Sequence, residues 1–341
     1  MTLEPYPWQQ APWRRLREAV EEGRLPHALL LAGPRGIGKG RLARVLIARY
    51  LCESPGAGEA ACGACRSCRL FLAGNHPDFV TIRPDPDKKT ESIGVDAVRE
   101  AQAFMDLTPH YGTGRCLVLE PADGLTEEAA NGLLKTLEEP PPGALLILAA
   151  RRLAPLPATI VSRCRRISLG VPEPGDPDVL EWLRHELPDG LDPAAALAMA
   201  HGAPERAVAE AGEKAVRHRR ERFDEWFTLG RGEGDPVALA EGWAGTAVPL
   251  AESVVGWLED LLRLQAGHPA GAVYNRDLAA ELTTLADLHS RRLLLDEREA
   301  WVQAWNGLQK GGLTPQLVLE NRLIAWHDSA LKSARNSHNL R

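Results

Sequence analysis

Gly33-Pro34-Arg35-Gly36-Ile37-Gly38-Lys39-Gly40-Arg41 is the stretch that decides the fold of the first half of the chain. An apolar run, Ala28 to Ala32, precedes it, and a helical run, Arg41 to Leu51, follows. Strand, glycine-rich loop and helix in that order are the setting in which G-x-x-x-x-G-K-[ST] is a phosphate loop. Gly33, Gly38 and Lys39 match the pattern, and Gly36 adds a further glycine. In such a loop the glycines let backbone N–H groups close around phosphate oxygens, and the lysine reaches the terminal phosphates. Gly40 stands where a Ser or Thr hydroxyl would hold Mg²⁺. The residues therefore describe a nucleotide cradle with a damaged metal site.

The other parts of an ATPase are altered as well. Arg115 to Glu120 reads as a second buried strand. In phosphate-loop ATPases this strand ends in Asp-Glu, the Asp helping to hold Mg²⁺ and the Glu polarising the attacking water. Here the pair is Glu120-Pro121, and proline cannot act as a base. Asp123 reads as a cap or loop residue. A positioned general base alone contributes about 10²–10⁴ in rate. Its loss, together with metal ligation, predicts negligible hydrolysis. Two roles for the cradle stay open: retained ATP or ADP binding, and an inherited strand–loop–helix that serves only the fold.

Downstream of the loop helix lie Cys52, Cys62, Cys65 and Cys68, spaced C-x9-C-x2-C-x2-C. Four thiolates can close a tetrahedral shell around Zn²⁺ and leave no position for water, which points to a structural zinc rather than a catalytic one. The alternative is a set of free buried thiols. Cys116 and Cys164 lie in or beside apolar strands and read as core. A short strand is expected at the end of Asn75 to Ile82, and further strands at Ala144 to Ala150 and Thr159 to Leu169. Helices are expected at Arg14 to Glu22, opening over Ile93 to Arg99 with Asp96 near the first turn, and from Leu125 to Glu139. Strands alternating with helices predict a parallel α/β sheet.

The pattern changes near the Pro/Gly-rich segment Pro172 to Pro177. This predicts three parts: an α/β core over residues 1–169 with the cysteine module at 52–68, short helices over 170–213, and an all-helical domain over 214–341. Six of nine tryptophans fall in the last part and read as its core. Lys+Arg 40 against Asp+Glu 46 gives a net charge of −6, which disfavours a protein that binds nucleic acid through bulk charge. No apolar run is long enough to span a membrane, and no signal-peptide pattern opens the sequence, so a cytoplasmic protein is expected.

Asn131-Gly132-Leu133-Leu134-Lys135-Thr136-Leu137-Glu138-Glu139-Pro140-Pro141, the cysteine module and Ser162-Arg163-Cys164 stand in an order that resembles the AAA+ clamp-loader subunits of bacterial DNA polymerase III. The resemblance runs through the first half and more loosely into the C-terminal helices. It implies an AAA+ phosphate-loop core with a zinc module, a small helical lid and a C-terminal helical collar that oligomerises. It further implies a hetero-oligomeric ring with gamma/tau and delta subunits, acting on a sliding clamp and primed DNA. Within the family, motor subunits keep the metal hydroxyl and the Asp-Glu pair, whereas a non-motor type loses them and keeps the arginine of its SRC motif. Gly40, Glu120 and Pro121 align this chain with the second type. Arg163 would then serve as an arginine finger in a neighbour's ATP site. Its plainer alternative is an ion pair within the chain. Arg206 occupies the sensor-2-like position of the lid.

Three functions compete at this point. The chain is a non-hydrolysing clamp-loader subunit, or an active motor in which Glu120 or Asp123 rescues metal binding, or a zinc-dependent DNA-binding module. The third is disfavoured by the acidic balance and by a knuckle too short to present a recognition helix.

Overall fold

A computed structural model describes residues 3–54, 60–85, 92–111 and 114–338, with side chains to residue 332. The chain divides into two compact units, Met1–Val171 and Pro172–Arg341. The first carries α1 (Gln10–Glu21), β1 (Ala28–Ala32), α2 (Lys39–Tyr50), α3 (Arg66–Leu72), β2 (Phe79–Ile82) and α4 (Val95–Met105). It continues through β3 (Cys116–Leu119), α5 (Glu127–Glu138), β4 (Leu145–Ala150), α6 (Ala158–Val161) and β5 (Arg165–Ser168).

The five strands form one sheet in the order β2-β3-β4-β1-β5, with every pairing parallel. Every residue of β1, β3 and β4 is buried, which is why those strands read as continuous apolar runs rather than alternating ones. Side chains still alternate between faces. Leu29 and Leu31 pack with Trp13, Leu16, Leu42 and Leu46 of α1 and α2. Ala28 and Leu30 pack with Val98, Ala129 and Leu133 of α4 and α5. The edge strand β5 keeps Arg165 and Arg166 exposed, and charge on an open edge discourages further strand pairing.

The expected strand from Thr159 to Leu169 is only partly a strand. Thr159, Ile160 and Val161 lie in the one-turn helix α6, and β5 begins at Arg165. The β-branched run suggested extension, but Ile160 is fully buried against the α5 side of the core. Tertiary packing overrides the propensity here. The turn matters because it sets the backbone that carries Arg163.

In the second unit every regular element among the described residues is a helix. These are α7 (Pro177–Glu186), α8 (Pro193–Met199), α9 (Pro204–Glu210), α10 (Glu213–Gly230), α11 (Pro236–Trp243), α12 (Ala247–Gln265), α13 (Ala279–Leu288), α14 (Arg291–Lys310) and α15 (Pro315–His338). Short 3-10 turns link some of them. Trp226, Trp243, Trp257, Trp301 and Trp326 lie in the core, and Trp305 packs partly buried against it. Trp226 and Trp326 stack with ring centroids 4.7 Å apart, and Trp257 packs 5.3 Å from Trp226. The Trp326 indole N–H donates to the Trp226 carbonyl at 3.2 Å, which ties α15 to α10. No helix among the described residues is long and apolar enough to cross a membrane.

Candidate functional site

The cradle sits where β1 gives way to α2. Gly36 and Gly38 have φ of 77° and 84°, a left-handed conformation that side-chain-bearing residues rarely adopt. Gly38 caps α2, so the loop amides converge at a helix N-terminus. The Lys39 ammonium donates to the carbonyls of Gly33 at 2.8 Å and Pro34 at 2.7 Å, drawing the loop around itself. The segment before α1 covers the other side. Trp8 Nε1 and Gln9 Nε2 both donate to the Ile37 carbonyl, and Gln9 also donates to that of Gly38 at 2.7 Å. A β-carbon at position 38 would meet the Tyr6 ring and the Gln9 amide within 3 Å.

The space beside Gly40 is taken up by the Glu120 side chain. A β-carbon on Gly40 would lie 2.7 Å from Glu120 Oε2 and 2.8 Å from Oε1. Glu120 follows β3 and is ion-paired to Arg83 at 3.1 Å. Burial, then the charges of Arg83 and Arg41, holds the Arg44 guanidinium below its usual range. Next to Gly40 the start of α2 thus faces a carboxylate that Arg83 already pairs. The Asp123 side chain is buried, and its carboxylate accepts from the Arg151 backbone N–H at 2.8 Å and from its Nε at 3.3 Å.

The four cysteines converge. The Sγ atoms of Cys52, Cys62, Cys65 and Cys68 all lie within 4.8 Å of one another, and those of Cys62 and Cys68 are 3.8 Å apart. A tetrahedron with metal–sulfur bonds of ~2.3 Å has edges of about 3.8 Å. Backbone N–H groups support the sulfurs: Cys65 N donates to Cys62 Sγ and Cys68 N to Cys65 Sγ, each at 3.3 Å. N–H groups of Cys65 and Ala64 draw the Cys62 thiol down to about 6, whereas burial pushes Cys52 and Cys68 up. Four sulfurs with no carboxylate or imidazole suit a soft or borderline cation.

A buried polar network anchors this module to the sheet. Ser67, on α3, bonds to His76 Nε2 at 2.9 Å and donates to the Leu51 carbonyl at 2.6 Å. His76 Nδ1 accepts from the Asp78 N–H. Asp78 is fully buried and accepts from the backbone N–H groups of His110 and Tyr111. Arg115 lies 3.7 Å from Asp78 and donates to the carbonyls of Pro77, Leu107 and Thr108.

Arg163 projects between α6 and β5. Its Nη2 pairs with Glu138 Oε1 at 2.6 Å, and its Nη1 donates to the Thr159 carbonyl at 2.9 Å. The flanking residues fix its backbone. Ser162 caps α6, its hydroxyl donating back to Thr159, and Cys164 is buried in the core. Arg206, on α9, forks onto Glu252 of α12 at 2.5 and 2.8 Å and reaches Glu210 at 2.8 Å.

Several of these residues escape a reading of the sequence. Arg83 lies 37 positions from Glu120, Arg151 lies 28 from Asp123, and Glu252 lies 46 from Arg206. No local pattern announces such partners. Glu138 sits within a recognisable run, but nothing in that run points to Arg163.

A parallel sheet with a phosphate loop after its inner strand β1, a four-cysteine knuckle behind the loop helix and an all-helical second unit are the layout expected from the resemblance in sequence. Residues 8–173 match the family model described as DNA polymerase III, delta subunit, and residues 213–328 match that described as DNA polymerase III, delta subunit, C terminal. The chain is 35% identical to the DNA polymerase III subunit delta' of Pseudomonas aeruginosa, over 94% of its own length and 97% of that protein. It is 32% identical to the delta' subunit of Yersinia pestis, over 97% and 98%. It is 38% identical to that of Escherichia coli, over 60% of each chain. The chain belongs to the family of DNA polymerase III delta' subunits.

Proposed function

We propose that this subunit hydrolyses no ATP itself and supplies Arg163 to the ATP site of a neighbouring motor subunit. The observation that carries this reading is the Glu120 carboxylate against Gly40, in the space a metal-binding hydroxyl would need. A guanidinium is planar, permanently charged and suited to phosphate oxygens. Placed against the charge that develops on a transferring phosphoryl group, it is worth about 10³–10⁵ in rate. The motor alternative needs Glu120 or Asp123 to ligate Mg²⁺, yet Glu120 is paired to Arg83 and Asp123 to Arg151. In the assembled ring, with gamma/tau and delta subunits as neighbours, the chain helps to open the sliding clamp and load it onto primed DNA.

Cys52, Cys62, Cys65 and Cys68 hold a structural Zn²⁺ in this reading. The ion staples the loop between α2 and β2, and the network through Ser67, His76 and Asp78 carries that constraint into the sheet. The cradle of Gly33, Gly36, Gly38 and Lys39 serves the fold, and Arg206 braces α9 against α12 rather than a phosphate. Turnover by the isolated chain tests the first claim. Background hydrolysis supports it, and turnover comparable to a motor subunit overturns it.

A further inference from the structure

Glu138 is the last residue of α5, where the aligned peptide dipoles present their negative end. A carboxylate is poorly placed there unless a cation compensates it. Arg163 is that cation, 2.6 Å from Glu138 Oε1. The Thr159 carbonyl, within the one turn of α6, holds the other terminal nitrogen at 2.9 Å. The two acceptors come from different elements of the same core: α5, capped at its start by Thr126, and α6, packed against α5 through the buried Ile160. The Glu138 side chain is half exposed, whereas the Thr159 acceptor is main chain; gripping two different terminal nitrogens, the two together set the direction of the guanidinium.

Arginine carries five N–H donors. One on Nη2 and one on Nη1 are used here, which leaves Nε–H and a second hydrogen on each terminal nitrogen. A guanidinium held in this way presents a preset edge to an acceptor arriving from outside the chain. A long side chain free in solvent would lose rotamer entropy on every docking, and pre-organisation removes that cost. Small errors in the placement of such a group reduce rate steeply.

We propose that Glu138 is the positioning residue for Arg163: its carboxylate, from the end of α5, holds the guanidinium in the orientation that engages a phosphate in the neighbouring subunit. This rests on the reading of Arg163 as a finger acting in trans. It adds a second residue, contributed by α5, to the apparatus by which this chain acts on its neighbour. The amide of glutamine keeps the Oε1 acceptor, so charge and geometry can be separated by substitution.

The test uses the reconstituted clamp loader with wild-type chain, Glu138→Ala, Glu138→Gln, Arg163→Ala and the Glu138→Ala/Arg163→Ala double variant, with ATP turnover followed in the presence of clamp and primed DNA. Glu138→Ala is expected to reproduce at least about half of the fall in kcat caused by Arg163→Ala, with KM for ATP changed less than about twofold. Glu138→Gln should recover most of the rate. The double variant should be no slower than Arg163→Ala alone, because Glu138 acts only through the arginine. Two results overturn the proposal: a wild-type kcat for Glu138→Ala, or a further fall when Glu138→Ala is added to Arg163→Ala. If Arg163→Ala itself runs at the wild-type rate, the finger reading fails instead, and the two failures are told apart within one experiment.

Discussion

Gly40 and Glu120 occupy one space. A β-carbon at position 40 would stand 2.7 and 2.8 Å from the two carboxylate oxygens of Glu120, well inside van der Waals contact. The carboxylate lies in the room that the absence of a side chain at position 40 leaves. It stands against the first turn of α2, where the helix dipole favours an anion.

Restoring a threonine at position 40 should not revive chemistry. The atoms it would meet are the carboxylate end of a flexible, partly exposed glutamate, which can turn aside. We expect Gly40→Thr to stay within about 1 kcal/mol of wild-type stability and to leave ATP turnover at background, because Pro121 still cannot orient water. Denaturant unfolding and an ATPase assay of the variant check both, and turnover well above background would contradict the expectation.

Metal analysis of chain purified without chelator should find one zinc per molecule. Cys65→Ser removes one sulfur of four from a cluster whose Sγ atoms lie within 4.8 Å of one another. Metal should be released and the midpoint of thermal unfolding should fall. A metal-free wild-type protein of unchanged stability would end the assignment.

Asp78 offers a test of the network behind the knuckle. It is fully buried, accepts two backbone N–H groups and faces the buried Arg115. Asp78→Ala should cost on the order of 3–5 kcal/mol, since it leaves a buried guanidinium without its counter-charge. Asp78→Asn, which keeps one acceptor oxygen, should cost less. Equal unfolding midpoints for the two variants would show that the retained acceptor contributes nothing, and a wild-type midpoint for Asp78→Asn would show that the charge contributes nothing.

Much of the fold is legible in the sequence because it is local. Ala28 to Ala32 is apolar at every position, as a strand covered on both faces must be, and Gly36 and Gly38 mark the left-handed turn before α2. The cysteine spacing announces its cluster for the same reason. What the sequence hides is whatever depends on distant partners. Glu120 reads as a residue left over from a lost catalytic pair, and only its approach to Gly40 and Arg83 reveals what it does. Arg163 is visible in its motif, but Glu138 is not visible as its partner. The helical turn at Thr159 to Val161 defeats a reading by propensity because burial of Ile160, rather than β-branching, decides it.

The central claim is that Arg163 works outside its own chain. Its measurement is the clamp- and DNA-stimulated ATPase of a reconstituted loader carrying Arg163→Ala, at matched assembly and zinc content, with clamp loading followed in parallel. Slower turnover and slower loading are expected, partial where other subunits bring fingers of their own, with Arg163→Lys rescuing poorly because an ammonium lacks the planar fork. Equal rates for wild type and Arg163→Ala would contradict the account and leave Arg163 as one half of an ion pair with Glu138.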